Sequence, residues 1–131
     1  MSERASDQSD HVKLLLVDDE AGYVKVLAKR MAKRNIDVTP ALSGSEALQI
    51  LRHNDFDAAV LDLKMEDMDG IEVLKIFKMM DPKMPVIMLT GHGSETAARE
   101  GIQFGAYDYL TKPCDLAELV EKIREACGKK G

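Results

Sequence analysis

Three carboxylates, a hydroxyl and an ammonium follow short apolar runs in this chain. Asp18 and Asp19, with Glu20 behind them, follow residues 14–17, and Asp62 follows residues 58–61. Thr90-Gly91 closes residues 86–89, and Thr111-Lys112-Pro113 follows Tyr109-Leu110. Carboxylates crowded together repel and raise one another's pKa unless a cation sits among them. Hard oxygen ligands with few dedicated protein groups suit Mg²⁺, which keeps several waters and accepts a phosphate oxygen in its shell. A hydroxyl and a lysine facing that ion supply what a phosphoryl group needs for its remaining oxygens. The nucleophile would be a carboxylate, giving an acyl phosphate on the protein. All of this requires the loops to share one edge of the fold.

The periodicity says that they do. Val12–Val17 is apolar apart from Lys13, the mark of a strand buried on both faces. Residues 21–34 place Val24, Leu27, Ala28 and Met31 on one helical face. A weaker β segment, 36–40, precedes Ser43, which can cap a helix with Glu46 three residues on and bury Ala47, Leu48 and Leu51. The pattern repeats with a strand over 58–62 and a helix opened by Gly70 that carries Val73, Leu74 and Phe77. Next come a strand over 85–90 and a helix over 94–104, weakened by Gly101 and an apolar face of alanines. A strand over 106–110 comes last, and Asp115 caps a helix with Leu116, Leu119, Val120 and Ile123 on one face. Five alternations with short connections imply a parallel sheet covered by helices on both sides. Ligands of such sheets bind outside the carboxyl ends of the strands, where the candidate groups lie.

Composition narrows the function. The chain has 131 residues, enough for one domain, taken as 12–127, with a polar tail over 1–11 and a short basic end over 128–131. A formal charge of -5 argues against direct nucleic-acid binding, and Lys129 and Lys130 are too few for a basic arm. The apolar runs are too short to span a membrane, and the first residues lack a secretory h-region. Cys114 and Cys127 form neither a disulfide framework nor a metal-ligand spacing; they read as buried small residues in a reduced, cytoplasmic setting. Met79, Met80 and Met84 read as core filling, and His53 and His92 as solvated. Gly91-His92-Gly93 is not a phosphate loop, because neither GxGxxG nor GxxxxGK[ST] is present.

Val17-Asp18-Asp19-Glu20, Leu61-Asp62-Leu63-Lys64-Met65, Met68-Asp69-Gly70, Leu89-Thr90-Gly91-His92-Gly93 and Asp108-Tyr109-Leu110-Thr111-Lys112-Pro113 occur in that order. Together they resemble a two-component response-regulator receiver domain over nearly the whole chain. The resemblance implies an α/β, flavodoxin-like fold: a doubly wound five-stranded parallel sheet, order 2-1-3-4-5, with five helices. It implies Asp62 as phosphoacceptor and Mg²⁺ held by Asp19, by Asp18 largely through water, by Asp62 and by the backbone carbonyl of Lys64. Lys112 and Thr90 would contact phosphoryl oxygens, Tyr109 would turn inward with Thr90, and the bond to Pro113 would be cis. The sequence departs from the family pattern at Glu66, where proline is frequent, which implies a looser loop after Asp62. It departs also at Gly91, which frees the fourth loop, and at Cys114, which loosens packing under the fifth. Lys64 and His92 occupy positions that influence phosphoryl lifetime.

The implied function is a phosphorelay switch. A histidine kinase or histidine phosphotransfer domain would donate to Asp62, and the surface of the fourth helix, fifth strand and fifth helix would then change toward a downstream protein partner. Glu95, Arg99, Asp108, Glu118 and Lys122 give that surface mixed charge, suited to a reversible protein contact and at most a weak phosphorylation-dependent dimer of a monomeric chain. Such a chain is no enzyme beyond its own phosphorylation and dephosphorylation. Two alternatives differ in class. One is a receiver fragment of a longer transcriptional regulator or hybrid kinase. The more remote is an aspartate-nucleophile phosphohydrolase, which would want an acid where Lys64 stands.

Overall fold

Every residue of Val12–Val17 (β1) except Lys13 is buried, as its apolar run dictates. It is an interior strand of a parallel sheet in the computed structural model, which describes residues 10–91 and 95–129. The strands Ile36–Ala41 (β2), Ala58–Asp62 (β3), Val86–Thr90 (β4) and Asp108–Thr111 (β5) complete it in the order β2-β1-β3-β4-β5. Between them run α1 (Ala21–Ala32), α2 (Gly44–His53), α3 (Gly70–Met80) and α4 (Glu95–Gln103), and α5 (Leu116–Ala126) follows β5. This is the doubly wound, flavodoxin-like arrangement that the resemblance implied.

The period of two divides the core. Leu14 and Leu16 of β1 face one layer, where Val24, Leu27 and Met31 of α1 meet Leu119, Val120 and Ile123 of α5. Leu15 and Val17 face the other, with Ala47 and Leu51 of α2 and Val73, Leu74 and Phe77 of α3. Register places Val17 beside Leu61 and Asp62 beside Leu89, so β1, β3 and β4 end at one level. Pro40 is tolerated in β2 because that strand is an edge.

Several boundaries and burials differ from expectation. β5 begins at Asp108 rather than 106, because Ala106 N–H donates to Gly101 O (3.0 Å) and Gly105 N–H to Ile102 O (3.1 Å), closing a Schellman turn on α4. Gly105 supplies the positive φ of 108° that this turn needs. Inside α4, a Cβ on Gly101 would lie 2.2 Å from Met88 Sδ, so the glycine that weakens the helix also lets it seat on β4. Of the three methionines expected in the core, only Met84 is buried; Met79 is 81% and Met80 38% exposed, on the far end of α3. Both cysteines are half-buried rather than buried, and Cys127 Sγ donates to Asp57 O at 3.5 Å. His53 is exposed, whereas His92 and Ser94 lie outside the described residues. Arg124 is buried on α5 with its guanidinium donating to the carbonyls of Asp10 and Arg34, a clasp between the first strand's approach and the last helix. Among the described residues no helix is long and apolar enough to cross a membrane.

Candidate functional site

Asp18 continues β1, its N–H donating to Ala41 O at 3.0 Å, and is fully buried. A buried carboxylate must be paired, and both its oxygens are: Oδ1 accepts from Glu20 N–H (3.0 Å) and Oδ2 from Lys112 Nζ (2.8 Å). Asp62 ends β3, is 6% exposed, and accepts from Lys64 N–H at 3.1 Å. Asp19 is partly exposed and accepts from Glu66 N–H at 3.3 Å. Carboxylate oxygens of Asp18, Asp19 and Asp62 lie within 4.8 Å of one another.

Lys112 follows β5 directly: its N–H donates to Thr90 O (2.6 Å), and its bond to Pro113 is cis. Its Nζ is 2.8 Å from Asp18, 3.1 Å from Glu20 and 3.5 Å from Asp62, and sits 4.8 Å over the Tyr23 ring. Burial pulls that ammonium down, but its bonds to Asp18 and Glu20 outweigh burial and hold it above the usual lysine range. Burial pushes Asp62 up and the Asp18 charge adds to this, against the Lys64 N–H bond and the Lys112 charge. Burial likewise pushes Tyr23 up to about 12.

Thr90 is buried at the end of β4, with Oγ1 3.5 Å from Leu110 O, a long contact that leaves the hydroxyl free to re-aim. Tyr109 is half-buried against the layer that contains α2 and α3. The structure thus brings Asp18, Asp19, Asp62, Thr90 and Lys112 to one sheet edge. Glu20 and Tyr23 as companions of Lys112 were not foreseen. Their spacing after Asp19 carries no signal, because the contact depends on a lysine 92 residues from Glu20.

The loop after Asp62 is more restrained than the Glu66 departure implied. Gly70 N–H donates to Leu63 O at 3.2 Å, and Lys64 bridges Asp69. Asp69 in turn caps α3 by accepting from Ile71 N–H at 3.0 Å. A Cβ on Gly70 would lie 2.5 Å from Leu63 Cα, backbone that cannot step aside. Gly70→Ala is therefore expected to cost about 1–3 kcal/mol by overpacking, read as a lower urea midpoint with an unchanged slope.

Hard oxygen donors, two of them buried, with Asp62 destabilised as an anion by burial and by Asp18, form a donor set that fits Mg²⁺. On the neighbouring face Asp108 and Lys122 pair with each other at 2.8 Å, and Tyr107 O–H donates to Glu125 at 3.0 Å. Two charges expected to be open to a partner are thus held within the chain.

Comparison with known proteins agrees with this geometry. A family model described as the response regulator receiver domain matches residues 14–124, and the chain belongs to that family, the receivers of two-component signalling. It is 40% identical over 113 residues to the transcriptional regulatory protein GlrR of Escherichia coli K12, covering 86% of this chain and 26% of that protein. The receiver domain of Francisella response regulator 1452 superposes with a TM-score of 0.83 at 33% identity, over 90% of this chain and 98% of that one. NtrX from Brucella abortus gives 0.85 at 27% identity, over 90% of this chain and 27% of that one. The chain spans about a quarter (26%) of the length of the curated relatives it matches.

Proposed function

We propose that the chain is a phosphoacceptor switch in which Asp62 takes a phosphoryl group from a phosphohistidine of a histidine kinase or phosphotransfer domain in the cytoplasm. The observation that carries this reading is Lys112 Nζ set 3.5 Å from Asp62 and 2.8 Å from Asp18, beside a carboxylate cluster within 4.8 Å. An Asp62 Oδ attacks phosphorus, the P–N bond breaks as the O–P bond forms, and the departing imidazole nitrogen takes up a proton. Lys112 holds one equatorial oxygen and Thr90 Oγ1 another, each placed where charge accumulates. Asp18, Asp19, Asp62 and the Lys64 carbonyl would hold Mg²⁺, which supplies charge neutralisation at the transferring group. Hydrolysis of the acyl phosphate by water returns phosphate and the free Asp62 carboxylate.

Thr90 drawn toward the phosphoryl oxygen vacates space into which Tyr109 can turn, and α4 and β5 shift with it. The consequence is a changed contact with a downstream protein. The curated relatives, transcriptional regulators about four times the matched length, favour a second reading in which that partner is an output domain of the same polypeptide. An immunoblot for the size of the cellular protein separates the two.

Intact mass after incubation with a small phosphodonor and Mg²⁺ tests the chemistry: one added phosphoryl group is expected, and none would overturn it. Mg²⁺ should also stabilise the fold by mass action, about 1.4 kcal/mol or roughly 6 °C at tenfold its dissociation constant. Asp19→Ala, which removes a direct oxygen ligand, should abolish that rise in a thermal-shift titration; a wild-type melting temperature flat in millimolar Mg²⁺ would count against the cluster as a metal centre.

A further inference from the structure

Asp67 is an exposed residue of the loop between β3 and α3, yet both its oxygens are engaged across the fold. Oδ1 accepts from Gly44 N–H at 3.0 Å, and Oδ2 accepts from Ser45 N–H at 3.0 Å and from Ser45 Oγ at 2.9 Å. These are the first amides of α2. Ser43 Oγ already takes the Glu46 N–H at 3.0 Å, and Glu46 reaches back to Leu42 N–H, so the helix start is complete only with a residue from another loop. Charge at this point also opposes the helix's positive end. The next residue, Met68, packs directly on Gly44, where a Cβ would lie 3.0 Å from Met68 Sδ and 3.1 Å from its Cβ. The residue before, Glu66, donates its N–H to Asp19 Oδ2 at 3.3 Å. One loop of few residues therefore joins the start of α2 to a carboxylate of the cluster.

We propose that Asp67 is a positioning residue for the metal centre: by anchoring the β3–α3 loop to the start of α2, it fixes the Glu66 amide that orients Asp19 and the loop backbone at Lys64. The inference rests on the reading of Asp18, Asp19 and Asp62 as that centre. Loss of the anchor frees Glu66 N–H from Asp19 and lets the carboxylate rotate away from its two neighbours. Supports of this kind typically contribute tenfold or more to metal affinity without touching the ion.

The test uses the full chain and Mg²⁺ alone, with affinity read by titration calorimetry and, in metal-free buffer, hydrogen exchange of the Glu66 amide. Asp67→Ala should weaken Mg²⁺ roughly tenfold and accelerate exchange at Glu66, and Asp67→Asn should fall between it and wild type. Ser43→Ala is the discriminating control: it removes the other cap of the same helix end and lowers the melting temperature comparably, but leaves the loop anchored and Mg²⁺ affinity within twofold of wild type. Glu66→Ala, which spares the backbone amide, should behave as wild type. Unchanged affinity in Asp67→Ala, or equal weakening in Asp67→Ala and Ser43→Ala, would overturn the positioning role while the metal reading stands. A wild-type chain without saturable Mg²⁺ binding would overturn both.

Discussion

Asp62→Asn should accept no phosphoryl group while becoming more stable than the wild type in metal-free buffer. The amide is a poor nucleophile and cannot form the acyl phosphate, so labelling by a small phosphodonor should fall at least roughly 10³-fold. Retention of wild-type labelling would move the acceptor to another carboxylate. The stability gain has a separate cause. Asp62 is 6% exposed, and burial and the Asp18 charge hold its carboxyl above the usual range. The native state therefore binds this proton more tightly than the unfolded chain, and the ionised group costs stability at every pH above its raised folded value. Removing the charge should gain about 1 kcal/mol at neutral pH, roughly 3–6 °C. The gain should shrink as pH falls through the folded pKa and vanish below about 4, where the unfolded carboxyl is protonated as well. Paired melting curves from pH 8 to pH 4 check the sign.

Lys112→Ala should do the opposite. Asp18 is fully buried, and Lys112 is its charged partner at 2.8 Å; Asp62 lies 3.5 Å from the same Nζ. Deleting the cation leaves buried carboxylates uncompensated, at a cost of about 3 kcal/mol. Because Lys112 is held above the ordinary lysine range, its contribution is complete below about 10.4 and is lost only as pH rises through the folded value. The deficit should therefore be level across neutral pH in urea titrations. Mg²⁺ supplies positive charge to the same carboxylates, so it should raise the melting temperature of Lys112→Ala by more than it raises wild type. An equal rise in both would show that Lys112 and the metal centre are electrostatically independent.

The chemistry could be read from residue order because each reactive group ends an apolar run, and a parallel α/β sheet brings strand ends to one edge. Asp62 and Thr90 illustrate this: each is the last residue of its strand in sequence and in the fold. Period and caps placed Ser43 and Asp115 correctly because a cap interacts with amides two or three residues away. Elements that depend on distant partners were placed less well. β5 starts late because α4 retains the Ala106 amide; Met79 projects from the face of α3 opposite Leu74 and Phe77, and Met80 is the last residue of the helix.

What the sequence determined by itself was the alternation, the two faces of β1 and the identity of the groups at the sheet edge. Local hydrogen bonding and the periods of strand and helix encode these within a few residues. Only the tertiary structure decided that Glu20 and Tyr23 close around Lys112, that Gly101 seats α4 on Met88, and that Asp67 completes α2 from 22–23 residues away. Such contacts follow from how elements already formed pack against one another. Their partners are distant along the chain, and the local pattern around each of these residues is the same whether or not the contact is made.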